Sequence, residues 1–282
     1  RYYMVKSELK DKIQLTNDGR LQLFFVGTGS AFNKVNFQTN LLVIKGKDHL
    51  LIDCGTICPY ALSTYNTPIS QIQNVLPTHS HADHIGGLEE MALAGRYIAG
   101  KKPKIVITDE YKKLLWENSL KGGCTFGEES AKGKFFTFED YFQQIKPVEL
   151  KNTPRPVYEA NCGSINVKLI RTLHINCGTN DWNKTFYSVG VLIDNRVFFS
   201  GDTLFDKLLL DMLEETYKPE TYFHDCQFYE GGVHASFKEL CTLPESIKNK
   251  MFLCHYGENF KDFKPENKGF AGFAERGVYY NF

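Results

Sequence analysis

The chain is poor in several things, and each absence removes a class of protein. No uninterrupted apolar stretch approaches the roughly 20 residues that a bilayer-spanning helix needs, so a helical membrane anchor is not expected. The opening residues Arg1-Tyr2-Tyr3-Met4 begin no apolar secretory leader, which points to the cytoplasm. There is no net charge, since 33 basic side chains balance 33 acidic ones. Binding to nucleic acid by counterion release is therefore not the expected mode, although a local basic patch stays open. The eight cysteines include no C-x-x-C pair, and several sit in apolar settings such as Leu51-Ile52-Asp53-Cys54. They read as buried free thiols of a reducing compartment rather than as a disulfide framework. The Gly27-Thr28-Gly29 turn lacks the third glycine and helix start of a dinucleotide-binding loop.

What is present is an ordinary globular composition: 282 residues, 42% of them hydrophobic, enough for one large α/β domain. Residues 21–26 read as a strand closed by a glycine turn, and 40–44 with 49–53 as a hairpin around Gly46-Lys47-Asp48. The spacing predicts helices over 88–99 and 109–120, with a short buried strand at 104–107 between them. Gly122 to Ser130 reads as a glycine-rich surface loop, and 135–142 as a strand leading into a short helix. The strongest punctuation is Asn152-Thr153-Pro154-Arg155-Pro156. Beyond it come strands at 165–170, 187–193 and 196–199, of the same type as those in the first half. A duplicated architecture around one shared site is expected. Residues 1–282 are thus read as a single domain with halves at about 1–151 and 157–282.

Chemistry concentrates in Thr78-His79-Ser80-His81-Ala82-Asp83-His84-Ile85-Gly86-Gly87, where His79, His81, Asp83 and His84 are spaced H-x-H-x-D-H. A buried imidazole or carboxylate must be paired or metal-bound, because leaving it unsatisfied costs about 1–3 kcal/mol or more. The preceding Gln73 to Pro77 reads as a strand running out of a core. A tight loop there would point His79 and His81 one way and turn Asp83 and His84 onto a neighbouring point. Donors of this type and density indicate metal binding, with two metals sharing the loop. Three later strand ends carry His174, Asp202 and His255. Singly each reads as an ordinary core or turn residue; together they supply the three ligands that would complete two sites. Only His49 of the eight histidines looks incidental. Asp53, at another strand end, either orients ligands from behind or caps a turn.

This constellation resembles the metallo-β-lactamase superfamily of hydrolases across residues 21 to about 260. The resemblance implies an α/β fold, a four-layer αββα sandwich with metals at one sheet edge. It implies that His79, His81 and His174 hold one metal, that Asp83, His84 and His255 hold the other, and that Asp202 bridges them. Phe25 to Phe32 and Leu51-Ile52-Asp53-Cys54-Gly55 look like the branch that contains ribonuclease Z and cyclic-nucleotide phosphodiesterases. Where ribonuclease Z has His-Glu-Ala-Thr, this chain has Phe223-His224-Asp225-Cys226-Gln227-Phe228, and no long basic arm is evident. The segment from Phe223 to Tyr256, with Gly231-Gly232-Val233-His234-Ala235 and Leu243-Pro244, is more similar to the phage anti-Pycsar phosphodiesterases, which cleave cyclic mononucleotides.

The implied activity is hydrolysis of a cyclic nucleotide or another small phosphodiester. The implied cofactors are two divalent metal ions, with zinc expected and iron or manganese accepting the same donors. Asp83 would steer a proton from water as well as ligate. His234 would contact the phosphate or protonate the leaving oxygen, and His224 would support the metal shell or the substrate. Relatives in this branch are commonly homodimers in which a loop of one subunit reaches its partner's site, a part that residues 122–134 are placed to play. The alternative is a di-iron oxygen-binding redox or sensor protein on the same fold. Its motif usually has a carboxylate where His81 stands, so His81 favours the hydrolase.

Overall fold

Runs such as Leu41-Leu42-Val43-Ile44 leave no polar face for solvent, and strands of that kind must be covered on both sides. The structure, a computed structural model that describes residues 4–125, 133–175, 178–179 and 181–282, covers them with two facing sheets. The first sheet holds β1 (Val5–Glu8), β2 (Gln22–Gly27), β3 (Asn40–Lys45), β4 (Asp48–Ile52), β5 (Asn74–Leu76), β6 (Lys104–Val106) and β7 (Gln143–Ile145). The second holds β8 (Val148–Glu149), β9 (Val157–Cys162), β10 (Ile165–Arg171), β11 (Val189–Ile193), β12 (Val197–Phe199), β13 (Thr221–Asp225), β14 (Met251–Cys254) and β15 (Gly272–Phe273). The last strand, β16 (Val278–Asn281), returns to the first sheet and lies between β1 and β2.

Each sheet begins antiparallel and ends parallel, with the change falling after β4 in one and after β12 in the other. The two sheets therefore share one order of pairing. The sheets meet at an aromatic layer in which Phe25 stands 4.9 Å from Phe223 and 6.3 Å from Phe199. Removing one such ring from a packed core costs about 3–5 kcal/mol. A second apolar cluster sets Leu209 and Leu213 of the helix Lys207–Thr216 with Phe198 and Tyr222 of the second sheet. Helices outside and sheets inside make the expected four-layer αββα sandwich. No helix among the described residues is long and apolar enough to cross a membrane.

Two local expectations need correction. Residues Lys121–Thr125 continue the preceding helical segment as a further helical turn instead of opening a loop, and 126–132 lie outside the described residues. Gly123 breaks nothing here: a Cβ at this position would stand 2.2 Å from a Glu89 carboxylate oxygen, so the glycine permits close packing. At 135–142 the helix Phe138–Tyr141 forms, and the expected strand is reduced to a single bridge residue, Phe135. Its start is fixed by a capping box in which the Thr137 and Asp140 side chains satisfy each other's backbone N–H groups. The seven described cysteines carry no disulfide, and all but Cys241 are buried; Cys177 lies outside the described residues.

His49 is structural. It is buried, its Nε2 accepts a hydrogen bond from the Gln73 N–H at 2.9 Å, and burial outweighs nearby Asp48 to bring its pKa down to about 4. The unfolded chain takes up this proton near pH 6.5 and the folded chain only near 4, so stability is lost as pH falls between those values. By pH 5 the loss should reach about 2 kcal/mol. Urea unfolding at pH 7 and pH 5 checks this: His49→Gln should lack that share of the drop, and an unchanged drop would refute the assignment.

Candidate metal centre

Parallel strands deliver their loops to one edge of a sheet, and ligand sites in open α/β sheets form outside the carboxyl ends of the strands. Every candidate metal ligand lies at such an end or just beyond one. Asp53 follows β4, the His79–His84 loop follows β5, His174 follows β10, Asp202 follows β12, Asp225 ends β13, and His255 follows β14. The turn that carries Asp83 and His84 is a short helix, Ala82–Ile85. Two loop residues that are not glycine have positive φ, Asp53 at 66° and His255 at 57°. Such conformations cost of order 1 kcal/mol or more and persist where the surroundings fix them. Gly201, at φ 58°, makes the turn that sets Asp202, and a Cβ there would meet the Val189 carbonyl oxygen at 2.8 Å.

The donor atoms of the predicted ligands converge in two groups, and Asp225 and His234 meet Asp202 in a third. His81 Nδ1 lies 3.1 Å from His79 Nε2 and 3.0 Å from His174 Nε2. Nitrogens bound to one tetrahedral zinc would stand about 3.3 Å apart, given Zn–N distances of about 2.0–2.1 Å. In the second group Asp83 Oδ2 lies 3.1 Å from both His84 Nε2 and His255 Nε2. Asp202 Oδ2 sits between the groups, 3.1 Å from His84 Nε2, 3.4 Å from His255, 3.5 Å from His79 and 3.6 Å from His174. The other oxygen, Oδ1, is buried with no hydrogen-bond partner among the described residues, and so is His255 Nδ1. Orphaned polar atoms amid converging nitrogen and oxygen donors fit a divalent cation.

Hydrogen bonds behind the cluster decide which nitrogen faces inward. Asp53 accepts from the Thr78 N–H at 2.7 Å, from the Thr78 hydroxyl at 2.8 Å and from His84 Nδ1 at 2.6 Å. His79 Nδ1 donates in turn to Thr78 Oγ1 at 3.0 Å. One buried carboxylate thus sets two imidazole tautomers, presenting both Nε2 lone pairs to the centre. His174 is set likewise by the Val233 carbonyl at 2.9 Å.

The electrostatics divide the groups. Burial pulls His79, His81 and His174 below the ordinary imidazole range despite the opposing charge of Asp202, so this trio is neutral, as metal ligands must be. At His84 burial is overcome by Asp202, Asp83 and Asp53, and its pKa is held well above the usual value. Burial would raise Asp83 and Asp202, but the surrounding imidazoles hold both carboxyls below the usual range.

The structure places His234 at the rim of this centre. Its Nδ1 is 2.9 Å from Asp225 Oδ2 and 3.9 Å from Asp202 Oδ2. Burial lowers its pKa, yet Asp202 and Asp225 together raise it to about 9. His224 falls in none of the converging donor groups; its Nδ1 donates to the Asp225 carbonyl at 2.8 Å. Asp225 is the residue that sequence reasoning missed. It is fully buried and also accepts from the Thr203 N–H at 3.0 Å and the Ser200 hydroxyl at 3.1 Å. Its signal was available, a carboxylate ending a strand beside a histidine.

An αββα sandwich with this array at the carboxyl ends of its strands is a metallo-β-lactamase-fold protein. Solved structures agree: YhfI from Bacillus subtilis superposes with a TM-score of 0.65 at 16% identity, covering 93% of this chain and all of that one. The short form of human tRNase Z superposes at 0.56 with 14% identity, covering 92% of this chain and 98% of its own. Within that class the chain belongs to the anti-Pycsar protein Apyc1 family, whose model matches residues 21–280. The anti-Pycsar protein Apyc1 of Bacillus phage BSP38 is 38% identical over 266 residues, covering 92% of this chain and 97% of its own. That of Paenibacillus harenae is 38% identical over 245 residues, covering 86% and 93%.

Proposed function

We propose that the chain is a metal-dependent phosphodiesterase acting on cyclic nucleotides or similarly small phosphodiesters. The observation that carries this is Asp202 Oδ2, one carboxylate oxygen within 3.6 Å of imidazole nitrogens from two separate donor groups. His79, His81 and His174 would hold one divalent cation, Asp83, His84 and His255 the other, and Asp202 would be shared. Bound there, two cations supply Lewis-acid activation of the phosphodiester and lower the pKa of water toward neutrality. Zinc suits the imidazole-rich set best, with manganese and iron as alternatives.

The chain's own groups do the rest. Asp83, a carboxylate at working pH, accepts a proton from water. His234, pinned through Nδ1 to Asp225, has Nε2 left to meet the phosphate or to give a proton to the leaving oxygen. His224 steadies Asp225 from behind. Asp53 holds His79 and His84 in their productive tautomers, so Asp53→Ala should weaken metal affinity about 10- to 100-fold, read by competition with a chromogenic chelator. Unaltered affinity would return Asp53 to the role of a turn residue.

The deciding experiment is elemental analysis of protein purified without added metal, read beside its visible spectrum and its turnover of cyclic mononucleotides and bis-p-nitrophenyl phosphate. Colourless protein with zinc or manganese, hydrolysing these diesters until chelated, is the expected result. Iron with an oxygen-sensitive absorption band and no diester cleavage would overturn the proposal in favour of a sensor.

A further inference from the structure

A phosphodiester centre selects its substrate through whatever holds the rest of the molecule. Next to the two metal-type groups lies a cavity of about 330 Å³, bordered by His234 and His255 on the side of the centre. That size is at the small end for ligand pockets and suits a mononucleotide rather than an oligonucleotide. Two large aromatic side chains from different loops border the same cavity, and both are largely in water: Phe32 is 87% exposed and Tyr229 is 65% exposed. Single exposed aromatics are common on protein surfaces. Two sharing one cavity with the histidines of a reaction centre are a different matter.

The loops that carry them are built to keep them there. Around Phe32, the Ser30 N–H and the Asn33 side-chain amide both donate to the Tyr256 carbonyl, at 2.9 and 3.0 Å. Asn33 Oδ1 accepts from the Val35 and Asn36 N–H groups at 2.9 and 2.8 Å. The Lys34 N–H is tied to Glu258 at 2.8 Å. Phe32 thus stands at the tip of a pinned turn, held out of the core. Around Tyr229, the Gln227 side-chain amide donates to the Tyr229 and Gly231 carbonyls, and the Gln227 N–H pairs with the Ala235 carbonyl at 2.9 Å. An aromatic side chain carried on a pinned backbone beside a charged centre needs little loop ordering when a flat ligand stacks on it, and stacking on aromatics is how proteins hold nucleobases.

We infer that Phe32 and Tyr229 form the base-binding platform of this pocket, stacking the nucleobase of a mononucleotide while its phosphate meets the metal groups. This rests on the phosphodiesterase reading above and adds the residues that recognise the nucleoside. Neither residue touches the reacting atoms, so the effect falls on substrate binding.

The test compares adenosine 3′,5′-cyclic phosphate with a base-less 1-O-methylribose 3′,5′-cyclic phosphate on wild type, Phe32→Ala, Tyr229→Ala and Phe32→Tyr. Each alanine variant should raise KM for the nucleotide about 5- to 100-fold, leave kinetics on the base-less ester unchanged, and keep wild-type metal content. Phe32→Tyr should retain nucleotide affinity. Equal losses on both esters, or no loss on either, would overturn the platform while leaving the phosphodiesterase reading intact. Wild type that cleaves neither ester would overturn both.

Discussion

Asp202→Asn protein is expected to hydrolyse phosphodiesters at least about 10³-fold more slowly than wild type and to carry less metal per chain. Among the described residues, Asp202 Oδ2 approaches both donor groups, and an amide in its place offers a weaker neutral donor at that point. The fold should survive. The turn is set by Gly201, the side-chain volume is unchanged, and Oδ1 has no partner to lose. His84 keeps two of the three carboxylates that raise its pKa, Asp83 and Asp53. Circular dichroism should therefore show a native spectrum beside lost activity and metal. Wild-type turnover with a full metal complement would remove Asp202 from the centre.

The second large effect is on proton delivery. His234→Ala should slow turnover of an alkyl-leaving-group diester by about 10²-fold, with metal content unchanged. It should matter far less for a p-nitrophenyl ester, whose leaving group needs no proton. That contrast separates an acid from a residue that only touches phosphate, since the latter would lower both rates alike. The pH profile gives the sign independently. His234 is an acid only while protonated, so activity that depends on it is lost as pH rises through its pKa, about 9 beside the bare Asp202 and Asp225 carboxylates. Cations on Asp202 would move this limb to lower pH. The variant should lack the limb altogether.

Much of the centre was legible because its residues break a rule of ordinary cores. Three imidazoles and a carboxylate within six positions have no bland explanation, and the further candidate ligands His174, Asp202 and His255 closed strand-like runs. Asp225 was passed over although it adjoins His224, because its value lies in fixing His234 from nine residues away, a contact only the fold makes. The fold was legible where apolar runs are long, as in β2 to β4, and illegible where contact decides. Gly122 and Gly123 read as breakers, yet the Tyr141 hydroxyl donates to the Cys124 carbonyl at 2.8 Å and holds that turn helical. The segment Val278–Asn281 is too short to announce a strand, and only its place between β1 and β2 makes it one.

That placement has a consequence for how the molecule comes into being. Gln22 and Asn281, joined by a side-chain hydrogen bond, are 259 residues apart in the chain. At roughly 5–20 residues per second of synthesis, β2 waits on the order of ten seconds to a minute for the neighbour that completes its pairing. Until then it offers an open edge to other chains. Tyr280 of the late strand also joins the aromatic layer, 6.0 Å from Phe25 and 5.1 Å from Phe223, so both sheets await the same closing step. The pairing of β2 with β16 is thus among the longest-range contacts of the fold, and contacts of that kind close late because their loop entropy must be met first.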